Sequence, residues 1–435
     1  ADSSVIKFGA DQDTTLTHTD GTGLTLNSTN KLTFGDAASF IQQSSDGVLR
    51  IDGEATVDIN ASAAVTIAAT TVPVTVGGIP FYADTGNNSI YTHNVSGSDD
   101  SAANNAAYGI TALDAITTGD KNTAIGYGAG GATTTAANCV FIGYNAGVAN
   151  VGGGDNIVIG KDAYDAADGE GNNLALGLGA LGGAVNGGEY NVSIGNNSLD
   201  ALTSADGITA VGYNAGTAIT TGDKSVFIGY AAGAGITTGG DSIFIGYEAG
   251  DGYDAETDNI GIGRSALGGS IAGGNKNVGM GNYALDALTS ADNSVAIGYE
   301  AASGTTTGGD NTAVGYQSLF TNTIGINNAC IGAQSGYAVT EGNDNTCLGY
   351  VAGQQITTGD DNTMLGYFGG ANLTTGSNNI CIGHTAGVDS GSAANAIVIG
   401  ININGTSNDL SFGKAGNIVS NDFDADANWS RASDV

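Results

Sequence analysis

The side chains of this 435-residue chain that could do chemistry are few and widely separated. His18, His93 and His384 fall in three different regions, too far apart in the chain to converge as a nucleophilic triad. The four cysteines form no Cys-x-x-Cys pair and none lies beside a histidine at metal-ligand spacing, so they read as small core residues. Gly126-x-Gly128-x-x-Gly131 and Gly177-x-Gly179-x-x-Gly182 match the glycine pattern of dinucleotide-binding turns. Among 74 glycines such matches arise by chance, and neither has the following helix that would aim its N–H groups at a pyrophosphate. No complete phosphate loop and no Gly-x-Ser-x-Gly elbow is present. Catalysis has no evident machinery here.

Two sets of residues recur with regular spacing. Both are counted from a glycine that returns throughout the chain. Asp120, Asp223, Asp292 and Asp360 stand six residues before it, and Asp155, Asp241, Asp258, Asp310, Asp344 and Asp361 five before it. Hard oxygens repeated at one corner suit calcium, with Asp241, Asp310, Asp344 and Asp361 as ligand candidates, and no other cofactor is implied. The competing reading, which we prefer, is that these carboxylates cap turns. Directly after the glycine comes a tyrosine column that includes Tyr144, Tyr213, Tyr230 and Tyr247. It reads either as a strip on which sugars stack or, by preference, as packing between chains. Asp422-x-Asp424-x-Asp426 opens like an EF-hand loop, but Ala427 replaces its glycine and Ser433 its closing glutamate.

The element that positions these columns is a short coil. The glycines run from Gly109 to Gly400 in fifteen steps of 17 residues and two of 18. A longer period of 86 residues overlays them, because Leu199-Asp-Ala-Leu-Thr-Ser-Ala-Asp returns at Leu285. With the glycine as slot 0, slot −1 is always apolar, slot −3 is β-branched or small, and slot −2 is apolar with few exceptions. Alternation on a short strand then puts slots −1 and −3 inside the coil and slot −2 outside. A strand that is apolar on both faces needs a second layer, and so small a coil cannot supply one. Slot −2 is therefore expected to pack on other copies of the chain. Slot −4 is Asn or Ser in nearly every coil, notably Asn122, Asn156, Asn173, Asn259, Asn311, Asn345, Asn362 and Asn379. Asn tolerates left-handed backbone and can bond its counterpart one coil on, so the column marks a repeated corner. Thr-Thr-Gly-Asp at residues 117–120, 220–223 and 357–360 supplies the return turn. No helix fits between such close corners, and the pattern predicts an all-β parallel solenoid of about 18 coils, each held by its neighbours.

Composition narrows the function. A net charge of −33 with ten basic residues scattered singly excludes a phosphate-backbone partner and an anionic membrane surface. No apolar run approaches a spanning helix, and residues 1–7 lack the features of a signal peptide. Neither nucleic acid nor membrane insertion is expected. Residues 1–80 lack the 17-residue register but carry short β-type runs at 5–8, 14–17, 24–26, 31–34, 48–51, 57–59 and 65–67. With few large side chains these cannot enclose a core alone, which predicts an intertwined β shaft of several chains. Residues 81–104 read as a junction, 105–403 as the repeat solenoid, and 404–435, with the one tryptophan Trp429, as a distinct C-terminal stem.

The run Asn-Ser-Val-Ala-Ile-Gly-Tyr-Glu-Ala at 293–301 resembles the head repeat of trimeric autotransporter adhesins. The run Asn-Thr-Ala-Ile-Gly-Tyr at 122–127, with Ile-Lys-Phe-Gly-Ala-Asp-Gln-Asp-Thr-Thr-Leu-Thr-His at 6–18, resembles phage tail-fibre proteins more closely. Residues 423–435 are similar to the junction before the self-cleaving chaperone domain of tail spikes and fibres. That similarity implies a processing boundary between Ser433 and Asp434. Together the resemblances imply an elongated homotrimeric fibre with a left-handed β-roll, located in the extracellular virion. Its expected partners are other tail proteins and a bacterial surface receptor, glycan or protein. The function implied is non-enzymatic host attachment. The alternatives are a bacterial surface adhesin, or a tail spike that degrades polysaccharide with paired carboxylates in a groove between chains.

Overall fold

The computed structural model describes residues 89–92, 101–269 and 273–422 in full, together with the backbone pairing of eight strands between Ser4 and Asp84. Two compact units emerge, Ala1–Val72 and Pro73–Val435. The runs expected at 57–59 and 65–67 lie outside the described residues, as do His93, Trp429, Ser433 and Asp434.

In the first unit Ser4–Phe8, Thr14–Thr19 and Gly23–Leu26 form one antiparallel meander. Lys31–Thr33, Phe40–Gln43 and Leu49–Asp52 form a second.

The second unit opens on a hairpin of Val74–Val76 and Ile79–Asp84, whose second strand pairs antiparallel with Ser89–Tyr91. From there the chain becomes a parallel β-solenoid of about 18 turns of about 17 residues, and no helix occurs among the described residues. Each turn contributes a single three-residue strand up to Ile380–Ile382, after which Ile397–Ile401 is longer and Ala386–Val388 pairs in parallel with Ile403–Gly405 as a second small sheet. Strands pair slot for slot with no slip, as in Thr123↔Val140, Ala124↔Phe141 and Ile125↔Ile142. The ladder continues into Asp409–Lys414, where the step shortens (Gly400↔Gly413), and ends in an antiparallel hairpin with Asn417–Asp422.

Glycine at slot 0 has a backbone reason. Its φ lies between 121° and 158° along the stack, and a Cβ there would collide with the carbonyl oxygen of the glycine one turn on. Each turn has three further corners in left-handed backbone, at slots −5, +2 and +4, as in Asp344 (φ 59°), Val351 (φ 52°) and Gly353 (φ 60°). The left-handed corner is thus slot −5, one residue before the asparagine column expected to hold it.

The strand faces also differ from expectation. Slot −2 points into the turn and is buried throughout, whereas slots −1 and −3 point outward. The reason is volume. The interior admits one strand side chain per turn, and this side chain shares its space with slot +4: Phe141 lies between Gly130 and Gly147, Phe227 between Gly216 and Gly233. A Cβ on any of those glycines would run into the ring. Where slot +4 is leucine, slot −2 is small: Leu181 with Ala175, Leu199 with Ser193, Leu267 with Gly261, Leu285 with Gly279, Leu319 with Ala313. The core is a column of complementary sizes closed within one chain.

Candidate functional site

Three surfaces of the solenoid carry the columns singled out above. The first is the asparagine corner. Asn122, Asn156, Asn173, Asn259, Asn311, Asn345, Asn362 and Asn379 are all buried. Each donates from Nδ2 to the carbonyl of the residue at slot −7 one turn on, at 2.7–3.0 Å. Their Oδ1 atoms accept main-chain N–H groups of the next turn, as Asn345 does from Asn362 at 3.1 Å. From Asn311 to Asn379 the side chains also bond one another, each Nδ2 to the preceding Oδ1 at 2.9–3.1 Å. This column satisfies backbone groups and offers nothing outward.

The acidic column lies beside it. Aspartates at slot −6 accept a main-chain N–H from the turn before: Asp120 from Ala103, Asp223 from Asp206, Asp292 from Asn275 and Asp360 from Asn343, at 2.7–2.9 Å. At slot −5, Asp310 and Asp344 accept from the amides of Asn293 and Asn327. Asp241 and Asp361 hold the same left-handed corner at φ 52° and 57°. No three carboxylate, histidine or cysteine side chains converge as a metal site among the described residues. The carboxylates that accept these N–H groups act as turn caps.

The cysteines are buried and unpaired. Burial pushes the Cys139 thiol up to about 11 and that of Cys381 to about 12. Cys330 is raised by its contact with the Cys347 thiol and by burial. Cys330 and Cys347 sit opposite each other in the ladder. Such thiols are core residues and poor nucleophiles.

The sheet's outward face is the second surface. Slot −1 carries isoleucine, leucine, valine or methionine in every turn from Gly126 to Gly400, with Ile125, Ile331 and Leu348 each more than 40% exposed. Slot −3 runs parallel to it, apolar in most turns, as at Val140, Ile157, Val226 and Ile243, and threonine at Thr123, Thr209, Thr312, Thr346 and Thr363. Sequence reasoning placed these residues inside. The signal that separates the faces is their variance, since slot −2 ranges from Gly261 to Phe244 in step with slot +4 whereas slot −1 is uniform.

The tyrosine column borders that face. Tyr127 stacks on Tyr144, Tyr213 on Tyr230 and Tyr230 on Tyr247, with centroids 5.1–5.4 Å apart and planes within 12°. Tyr299 stacks on Tyr316 and Tyr350 on Tyr367, and His384 closes the last run at 4.8 Å. Lys161 lies over Tyr144 and Arg264 over Tyr247, at 5.8 and 5.5 Å from the ring centres. Ring faces within a run are therefore covered by their neighbours, and the column presents edges and hydroxyls. A continuous sugar-stacking strip needs free faces, which these runs lack.

Sequence reasoning missed two buried glutamates. Glu170 and Glu256 stand 86 residues apart, each one turn before an 18-residue step, and accept the N–H of Gly187 (2.8 Å) and of Gly273 (2.7 Å) within that longer turn. Their spacing, equal to the long period, was the available signal. No family model matches this chain, and neither does any curated protein or solved structure.

Proposed function

We propose that the chain is a non-enzymatic structural element of a phage tail fibre, assembled as a homotrimer and used in attachment to a bacterial surface. One observation carries this reading: the outward sheet face is apolar at slot −1 in every turn and at slot −3 in most, with no covering element among the described residues. Eighteen strands at about 4.8 Å make the band roughly 80 Å long, and two columns about 7 Å apart make it roughly 10 Å wide. The resulting area, about 800 Å², exceeds the few hundred that a monomer exposes and equals one partner's share of a stable interface. A band that repeats every turn is best covered by a surface of the same period, and a second copy of the chain supplies one. Three copies about one axis cover all three bands at once. With a charge of −33 on each copy, assembled fibres stay soluble and apart. Repeated weak contacts along the stack and across three chains give attachment through multivalency. The left-handed winding, the intertwined shaft and the processing boundary at Ser433 and Asp434 belong to the same proposal.

The test is the native mass in solution, by light scattering or native mass spectrometry. A particle near three times 42.7 kDa is expected. A stable monomer overturns the proposal, and a dimer overturns the trimer while retaining the interface. Release of oligosaccharide from host capsule would replace attachment by the degrading tail spike.

A further inference from the structure

The tyrosine column has one interruption of a particular kind. From Tyr299 its rungs are Tyr299, Tyr316, Ala333, Tyr350, Tyr367 and His384. Strand pairing runs through this stretch without a slip, Val314↔Ile331↔Leu348, and the corner hydrogen bonds continue, Gln334 N–H to Tyr316 O at 2.8 Å and Val351 N–H to Ala333 O at 2.9 Å. Ala333 therefore occupies a rung position whose side chain stops at Cβ. Two turns at about 4.8 Å separate Tyr316 from Tyr350 by roughly 10 Å, twice the spacing of stacked rings elsewhere in the column. Nowhere else in the column does a single small residue separate two tyrosines.

The walls of this gap differ in chemistry. On the strand side stands Ile331, a member of the apolar band, so this wall borders the proposed contact between copies. On the other side runs a row of amides: Gln317 Nε2 donates to Glu300 Oε2 at 2.8 Å, Gln334 Nε2 to Gln317 Oε1 at 3.1 Å, and Gln354 Nε2 to Gln334 Oε1 at 3.3 Å. Each glutamine amide has two N–H groups and two lone pairs, so the row retains donors and acceptors beyond those used within it.

We propose that the missing rung at Ala333 is a binding slot for one neutral pyranose ring. Such a ring presents C–H groups on both faces, which match the two facing tyrosine rings, and hydroxyls around its rim, which match the glutamine row. A purely aromatic ring would fill the space but leave the amides without partners. An anionic sugar is disfavoured by the acidity of the whole chain. The slot is complete in one chain. As a receptor contact it rests on the attachment function proposed above; as a ring-binding site it does not.

Saturation-transfer NMR on the full chain tests it with methyl β-glucopyranoside, whose hydroxyls are all equatorial. Saturation of C–H protons on both ring faces is expected. Ala333→Tyr completes the column as Tyr230 does elsewhere, so it should fold normally and abolish the signal, while Tyr350→Ala should weaken binding about tenfold through loss of one stacking face. Tyr230→Ala, inside an unbroken run, should leave it unchanged. An absent signal, or one that survives Ala333→Tyr, overturns the slot. Saturation of p-cresol without that of the pyranoside overturns the sugar in favour of an aromatic side chain. The trimer proposal is read separately by native mass, so neither result decides the other.

Discussion

The two faces of the solenoid strand obey opposite rules. Inward, slot −2 varies from glycine to phenylalanine, and each change is compensated by slot +4 of the same or the preceding turn. Outward, slot −1 hardly varies and nothing on the same chain compensates it. A core enclosed by one chain can trade volume locally, because both partners of each contact mutate within one sequence. A face completed by something else cannot, and uniformity at every turn is what an external partner of equal period requires. Variance, more than hydrophobicity, separates slot −2 in the interior from slot −1 on the outward face.

The sharpest way to break this comparison is a double-mutant cycle in the core. Phe227→Ala empties a buried site and should cost about 3–5 kcal/mol. Gly233→Leu forces a side chain against the Phe227 ring at a left-handed corner and should cost at least about 3 kcal/mol. The two together recreate the pairing of Leu181 with Ala175, so the double variant should recover at least about 2 kcal/mol relative to the sum. Denaturation midpoints of the four proteins read this. Additive costs would mean that slots −2 and +4 do not share volume.

Next in size is the asparagine column, where inside and outside meet. Asn345→Ala removes the acceptor for the Asn362 N–H and Nδ2 and the donor to Gly359 O. With these groups buried, a loss of about 2–4 kcal/mol is expected. Asn345→Ser should cost less, because Ser242 already accepts the Asn259 N–H in another turn, at 3.2 Å. Equal midpoints for both variants would show that the next turn's N–H does not need this acceptor.

The outward face predicts the reverse pattern. Ile297→Lys with Ile331→Lys should change the single chain's stability by no more than about 0.5 kcal/mol, since both side chains already face out. The same pair should abolish self-association in the native mass. A strongly destabilised monomer would mean that slot −1 is core after all.

Much of this architecture was legible in the sequence, and what was not has a physical cause. Periodic glycine and the three apolar strand slots gave away a solenoid with one strand per turn, because a Cβ at slot 0 cannot coexist with the next turn. The direction of the faces was hidden, since a three-residue strand alternates equally well either way. Only the pairing of Phe141 with Gly130 and Gly147, across different turns, reveals the inward slot. The left-handed corner was misplaced by one because Asn and Asp fill both slot −4 and slot −5, for different reasons. The gap at Ala333 was visible as a residue type, but its meaning depends on which ring faces the neighbours cover.

The smallest effect concerns the corner after slot +4, where Asp200 lies at the surface and partial desolvation raises its carboxyl above the usual 3.8. In the unfolded chain the group titrates normally, so between 3.8 and the raised value the folded chain binds more protons. Its contribution to stability therefore grows as pH falls through that window and is unfavourable at neutral pH. Asp200→Asn removes the cost of the partly desolvated charge, so the variant should have a slightly higher midpoint than the parent at neutral pH. That difference should close as pH drops below 3.8, where the aspartate is neutral as well. Comparing the two proteins at each pH cancels the titration of the other carboxylates, which dominate the acid response of so acidic a chain. A difference independent of pH would assign the gain to packing or hydrogen bonding of the amide, and the corner would then join the interior, where shape decides, and leave the surface, where charge does.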